Sequence, residues 1–187
     1  MRGMLLLAGI SIAAPVFAIP TSVTPFEIAL PGTSAAAEPG LAGVVVNDTL
    51  VPFSVASATA PVSGTVQVRT VRGADGKLSF YWKINNAAAS KGQVSALHIS
   101  GFPKAVYDAN WRKDGLGSVA PTKVQGGLSS DFKSWLYGFA FGAPIKPGES
   151  SRFFFLRSNA VAAVPSTARI SGGGGVSADF AVLAPAG

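Results

Sequence analysis

The stretch Leu78–Asn85, LSFYWKIN, alternates in two registers. Leu78, Phe80, Trp82 and Ile84 form an apolar row, and Ser79, Tyr81, Lys83 and Asn85 form the opposite one. A period of two is the mark of a strand with one buried face. Similar runs recur from Leu41 onward, rich in Val, Ile, Phe, Tyr and Trp and separated by turn residues. The pattern predicts strands over Leu41–Val46, Thr49–Val55, Gly64–Arg72, Leu78–Asn85, Val94–Ser100, Ala105–Trp111, Lys133–Phe141, Ser151–Ser158, Thr167–Ser171 and Val176–Leu183. Asn47-Asp48 reads as a turn, and Pro52 as an edge or bulge marker. Val71 breaks the alternation of Val66 and Val68, which points to a bulge near Thr70. Gly73-Ala74-Asp75-Gly76 is the strongest turn signal and predicts a hairpin between its flanking runs.

No segment carries a capped helical period, though Ala87–Val94 has room for one turn. Many short strands divided by turns predict an all-β, two-sheet antiparallel sandwich, Ig-like or jelly-roll-like. The row Leu78, Phe80, Trp82, Ile84 is expected to meet the inner face of the second sheet, with Phe139, Phe141 and Phe180 among its partners. In SRFFFLRS, Ser151–Ser158, both registers are apolar. Such a strand needs cover on both faces. The expectation is one face in the core and the other under the N-terminal arm.

The first 18 residues, MRGMLLLAGISIAAPVFA, have a different texture. Arg2 precedes an apolar run from Met4 to Ala14, Pro15 ends it, and Val16 and Ala18 place small residues at −3 and −1. This is the pattern of a cleavable secretory leader. The run is short against the ~20 residues of a membrane span. The expected organisation is a signal peptide at 1–18, a Pro/Ala-rich arm at 19–40 with at most one short strand near Phe26–Leu30, and a β-sandwich domain at 41–187. No later segment could span a bilayer as a helix. The expected location is therefore extracellular or periplasmic.

The chain has 187 residues, 15 Lys and Arg, 9 Asp and Glu, one His and no Cys. Its formal charge is +6, and losing Arg2 with the leader removes one unit of that. The cations are scattered and no nucleic-acid motif occurs, so a nucleic-acid partner is not expected. Export without cysteine fits a bacterial product that needs no oxidative folding.

Three segments and the end of the chain carry a family resemblance: GTVQVRTVRGADGKLSFYWKINNAAAS, VYDANWRKDGLGSVAP, IKPGESSRFFFLRSNA and the closing GVSADFAVLAP. Together they resemble a group of bacterial exported proteins of uncharacterised function, many of which bear a PEP-CTERM sorting tag. The resemblance implies a secreted or surface-associated β-sandwich and no assigned activity. The sequence given ends at Ala184-Pro185-Ala186-Gly187 without the hydrophobic helix and basic cluster of that tag. Free secretion or periplasmic residence is the expectation.

Catalytic chemistry finds little to stand on. His98 is the only histidine, and no GxSxG elbow exists. The nine acids fall mostly at turns, which gives a glycosidase pair no visible support. Asp108, Asn110 and Asp114 have calcium-like spacing, but Arg112 stands where an oxygen ligand is needed. Gly172–Gly175 has no following lysine and helix to make a phosphate cradle. No cofactor or metal is expected. The remaining signal is a sugar platform: Tyr107 and Trp111, four apart on one side of an extended segment, with Arg112 beside them. Against it stands the tendency of tryptophan to pack a sandwich edge. The leading expectation is a non-enzymatic exported protein that acts through its surface in assembly, matrix or adhesion. The alternative is a carbohydrate-binding module-like domain using Tyr107, Trp111 and Arg112. The partner would be a glycan or an envelope component.

Overall fold

The computed structural model describes residues 18–128, 135–175 and 177–187. The expected leader up to Phe17, the first two residues of the Lys133–Phe141 run, and Val176 lie outside them. Twelve strands are formed among the described residues: β1 Ile19–Pro20, β2 Phe26–Ala29, β3 Gly43–Val55, β4 Val62–Gly73, β5 Leu78–Asn86, β6 Val94–Ile99, β7 Asp108–Trp111, β8 Lys123–Leu128, β9 Trp135–Ile145, β10 Phe154–Arg157, β11 Ala163–Gly172 and β12 Ser177–Pro185. They build two six-stranded antiparallel sheets, ordered β1-β7-β10-β5-β4-β3 and β12-β11-β6-β9-β8-β2. The fold is a two-sheet β-sandwich, consistent with an Ig-like or jelly-roll arrangement. No helix among the described residues is long and apolar enough to cross a membrane.

The core follows from the alternation. Leu78, Phe80, Trp82 and Ile84 are all buried, the last two completely. They face Trp135, Tyr137, Phe139 and Phe141 of β9, one continuous inner row of the opposite sheet. Trp82 sits 6.1 Å from Phe139 and 6.0 Å from Phe154, and Phe139 lies 4.7 Å from Phe154. These are the offsets and tilts that aromatic pairs prefer. Phe180 joins the same cluster.

The hairpin β4–β5 forms as expected, with Gly73 N–H closing on Lys77 O and Gly76 at φ 78°. The bulge also occurs, but on the partner strand. Pairing of β3 with β4 shifts between Val45 and Asn47, opposite Val71 and Thr70. Val71 keeps the alternation of β4 and simply faces outward. Asn47-Asp48 is not a turn; it lies inside β3, which runs unbroken for 13 residues. Cross-strand bonds from Asp48 to Gln67 and Arg69 hold it there.

Two strands went unread. β8, KVQGGL, has a composition that argues against a strand. Its Gly126 is needed because the Phe26 ring lies where a β-carbon would stand. β1 is only two residues long and pairs with β7. Through β1 and β2 the arm 19–40 contributes an edge to each sheet. The arm is therefore an integral part of the fold.

We predict that Phe80→Ala and Trp82→Ala each cost ~3–5 kcal/mol, as fully buried aromatics do. Urea unfolding measures this, and losses below ~1 kcal/mol for both would contradict the packing.

Candidate functional site

β5 and β10 pair through Tyr81 opposite Phe155, and both side chains point away from the core. Their rings lie 5.1 Å apart. An aromatic pair on an outer face needs cover, and the arm supplies it. Residues 34–42 cross this face as a strap, ending in the short 3-10 turn Pro39–Leu41. Leu41 packs on Tyr81 and Phe155, leaving Tyr81 3 % exposed and Phe155 sealed. SRFFFLRS thus has the expected two covers: Phe154 and Leu156 face the core, Phe155 the arm.

The strap is tied to the loop after β7. Thr33 N–H donates to Trp111 O at 2.9 Å, Lys113 N–H to Thr33 O at 2.7 Å, and Ala35 N–H to Asp114 Oδ2 at 2.8 Å. Between strap, loop and sheet lies a cavity of about 600 Å³. Leu41, Val45, Val71, Leu116 and Phe153 give it apolar walls; Arg69, Lys83 and Arg112 bring cations, and Asp114 the one acid.

Arg112 grips Asp114 in a two-pronged pair, Nε–Oδ1 at 2.7 Å and Nη2–Oδ2 at 2.9 Å. That guanidinium, against some burial, holds the Asp114 carboxyl at about 2. A carboxyl lowered on folding stabilises above its ordinary pKa of 3.8, and the contribution is lost as pH falls toward 2. The tether from Asp114 to the strap is therefore at full strength at neutral pH. Arg69 pairs with Asp48 at 2.7 Å and stacks on the Phe153 ring at 4.7 Å. Lys83 makes no ion pair among the described residues. The Tyr81 hydroxyl is buried and forms no hydrogen bond of ordinary geometry. Burial pushes its pKa up, with the nearby Arg112 charge opposing.

Of the residues expected to form a sugar platform, Arg112 alone reaches this cavity. Tyr107, just before β7, and Trp111, at its end, do share a side, but it is the inner one. Tyr107 is 3 % exposed, packs edge-on against Tyr137 at 5.1 Å, and donates its hydroxyl to Pro103 O at 2.8 Å. Trp111 donates Nε1–H to Leu30 O at 3.1 Å, and its ring occupies the space a β-carbon on Gly32 would need. The physical reason is the position of β7. Its register with β10 sets Trp111 opposite Phe154 and Ala109 opposite Leu156, and both of those β10 side chains lie in the core. Tyr81, in the row opposite the core, is covered by Leu41. Lys83 and Arg69 were visible only as members of a scattered set of cations. Their alternation with Trp82 and Val68 places them on the outer face, but nothing local brings Arg112 beside them.

The other candidate chemistries disperse. His98 lies opposite Arg169 across β6–β11, with Ser171 Oγ at 3.4 Å from its Nδ1. Burial first, then the Arg169 charge, lowers the pKa of the ring. A triad would place a carboxylate there; Asp179, opposite Arg169 on the next strand, is engaged by Arg169 at 2.7 Å. Asn110 is fully buried, and its Oδ1 accepts the N–H of Gly32 at 2.8 Å, which turns it away from a calcium role beside Asp114. Among the described residues, no three His, Asp or Glu side chains converge on a metal position.

Tyr81→Phe removes a buried hydroxyl whose one polar neighbour, Arg112, is reached only with poor geometry, so we predict a stability change within ~1 kcal/mol of zero. Leu41→Ala uncovers the same ring and should cost ~2 kcal/mol or more. Denaturant midpoints decide both. A clear loss in Tyr81→Phe would reveal a bond made by that hydroxyl.

The chain matches no protein-family model, no curated protein and no solved structure. The resemblance to tagged exported proteins thus has no counterpart in these comparisons, and what stands is the two-sheet sandwich with its covered outer face.

Proposed function

We propose that this chain is a non-enzymatic exported binding domain, and that the cavity under the strap takes an acidic saccharide. The observation that carries the reading is the meeting of Arg69, Lys83 and Arg112 on a cavity with a single acid. Its size falls within the roughly 300–1,000 Å³ of small-ligand sites. The Arg69 and Arg112 guanidiniums, though held by Asp48 and Asp114, keep N–H groups to share with a carboxylate, and the partly buried Phe153 with the exposed Leu116 offers apolar surface to a sugar ring. The non-catalytic part of the reading is supported by the state of the acids. Asp48, Asp114, Glu27, Glu38 and Asp179 are each paired with a cation. Asp108, whose carboxyl is pushed up mainly by burial, does not line the cavity.

The test is retention of the protein on uronate-bearing and neutral polysaccharides of matched backbone. Retention on the acidic polymer should exceed that on the neutral one, weaken with salt, and fall ~10-fold or more in Lys83→Glu, a reversal of one charge worth ~1.4 kcal/mol or more. The melting temperature should not move. Equal retention on both polymers, or none, would sink the reading.

A second reading, assembly with another copy, is favoured by β3. It is the edge of the first sheet, 13 residues long, and exposes Val44 (70 %), Val45, Val46 and Leu50 (61 %). Such an edge is a template for strand pairing, although the bulge and Pro52 blunt it. On this reading, sedimentation velocity shows a concentration-dependent dimer that Leu50→Lys abolishes. A monomer at all concentrations would remove it.

A further inference from the structure

A charged cluster lies against the start of the described chain. Glu38, within the strap, is only 8 % exposed although it carries a carboxylate. Its Oε1 accepts from Arg157 Nη1 at 2.7 Å, and its Oε2 accepts the main-chain N–H of Ala18 at 2.9 Å. Asp108 belongs to the same cluster. It stands opposite Arg157 across β7–β10 and opposite Pro20 across β1–β7. Glu38 binds the Arg157 guanidinium, while Asp108, across the ladder, feels its field without forming an ion pair to it. Burial raises the Asp108 carboxyl, the Glu38 charge adds to the rise, and Arg157 opposes it. Among the described residues, Asp108 has no cation of its own within ion-pair distance, so the cluster is formally one positive charge short. A buried charge left without a counter-charge is costly.

The shortfall lies at one particular peptide bond. Val16 and Ala18 occupy −3 and −1 of the leader pattern, so the export peptidase would cut between Ala18 and Ile19. We propose that this cut supplies the missing cation: the new α-ammonium of Ile19 takes the place of the Ala18 N–H on Glu38 and locks the strap over the cavity. In the reaction, water adds across the amide. The acyl half leaves with the leader as the Ala18 carboxylate, and the amine half takes the proton and stays as the Ile19 ammonium.

The geometry suits the exchange. The N–H that replaces the bond to Ala18 points into the space Ala18 vacates. One residue spans at most ~3.6 Å, so the ammonium stands within a short side-chain adjustment of the Glu38 Oε2 that already faces this spot. β1 stays in place because its ties lie downstream. Ile19 and Pro20 pair with Ala109 and Asp108, Thr21 N–H donates to Tyr107 O at 2.7 Å, and Tyr107 N–H donates to Thr21 Oγ1 at 2.9 Å. A charge-assisted bond is about twice as strong as the neutral one it replaces. The groups facing the ammonium are Glu38 from the strap, Asp108 from β7, Arg157 from β10 and, through the field of the cluster, Tyr81 from β5. An amine that gains carboxylate partners has its pKa raised above the ordinary ~7.7–8.0. Its stabilisation is complete below that value and lost as pH rises through the raised one.

The experiment begins with the full chain exported by a bacterial host. Intact mass and N-terminal sequencing should place Ile19 first; a different first residue overturns the proposal. The rate at which an amine-reactive ester acylates the Ile19 α-amine at pH 7 is then followed by peptide mapping, with exposed Lys91 as internal reference. The α-amine should react at least tenfold more slowly in the native chain than in Glu38→Gln, while Lys91 reacts equally in both. Equal α-amine rates in two folded proteins overturn the proposal. Should Glu38→Gln fail to fold, the pH dependence of acylation in the native chain alone decides. A midpoint above ~8 supports the ammonium–carboxylate pair, and one at or below the ordinary α-amine value removes it.

Discussion

The rest of this structure depends on the pairing of Tyr81 with Phe155 on the outside of a sheet whose inside is already aromatic. Trp82 and Phe154, their neighbours in the chain, fill the space between the sheets. β5 and β10 are thus buried on both faces, which is unusual for an antiparallel sandwich with solvent on its outer sides. Leaving two large rings open to water would forgo roughly 1.5–3 kcal/mol for each. The arm resolves this by crossing the face and setting Leu41 on the rings. Its anchoring strands, its bonds to the loop after β7 and its buried Glu38 all follow from that requirement.

The cover does not fill the whole face. Where the strap leaves the sheet, between Leu41 and the 112–116 loop, the cavity opens, and the outward residues of β4 and β5 become its floor. The polar register of a strand is normally a solvated surface. Here the same register, Arg69 and Lys83, is brought under a roof with Arg112. The internal pairs, Arg112 with Asp114 and Arg157 with Glu38, are the fastenings that hold the roof in position.

Those fastenings differ in kind. Asp114 is partly exposed and is satisfied by one guanidinium and the strap N–H. Glu38 is nearly sealed, and it reaches to the first described residue for its second partner. A carboxylate buried at that point ties the strap to Ala18, beside β1.

Much of this was legible in the sequence, because the rules involved are local. The period of two in Leu78–Asn85 and in Trp135–Phe141 decides which side chains lie inward, whatever the strands pair with. Gly73–Gly76 encodes its hairpin through the φ a glycine permits at Gly76. The doubly apolar SRFFFLRS states that two covers are needed. Misreadings arose where a distant partner set the outcome. Asn47-Asp48 has turn chemistry, yet Gln67 and Arg69 hold Asp48 within a continuous strand. KVQGGL lacks strand character, yet Gly126 becomes the seat of the Phe26 ring from 100 positions away. Tyr107 and Trp111 were placed on one side correctly, but which side faced the second sheet depends on the register of β7 with β10. The sequence by itself determined the alternation, the two-sheet class and the demand for cover on β10. Only the tertiary structure decided that Leu41 is the residue by which the arm makes that cover, that Arg112 joins Arg69 and Lys83, and that Glu38 meets Ala18. Each of these needs contacts between residues 20 to 119 positions apart, and no periodicity along the chain records such pairings.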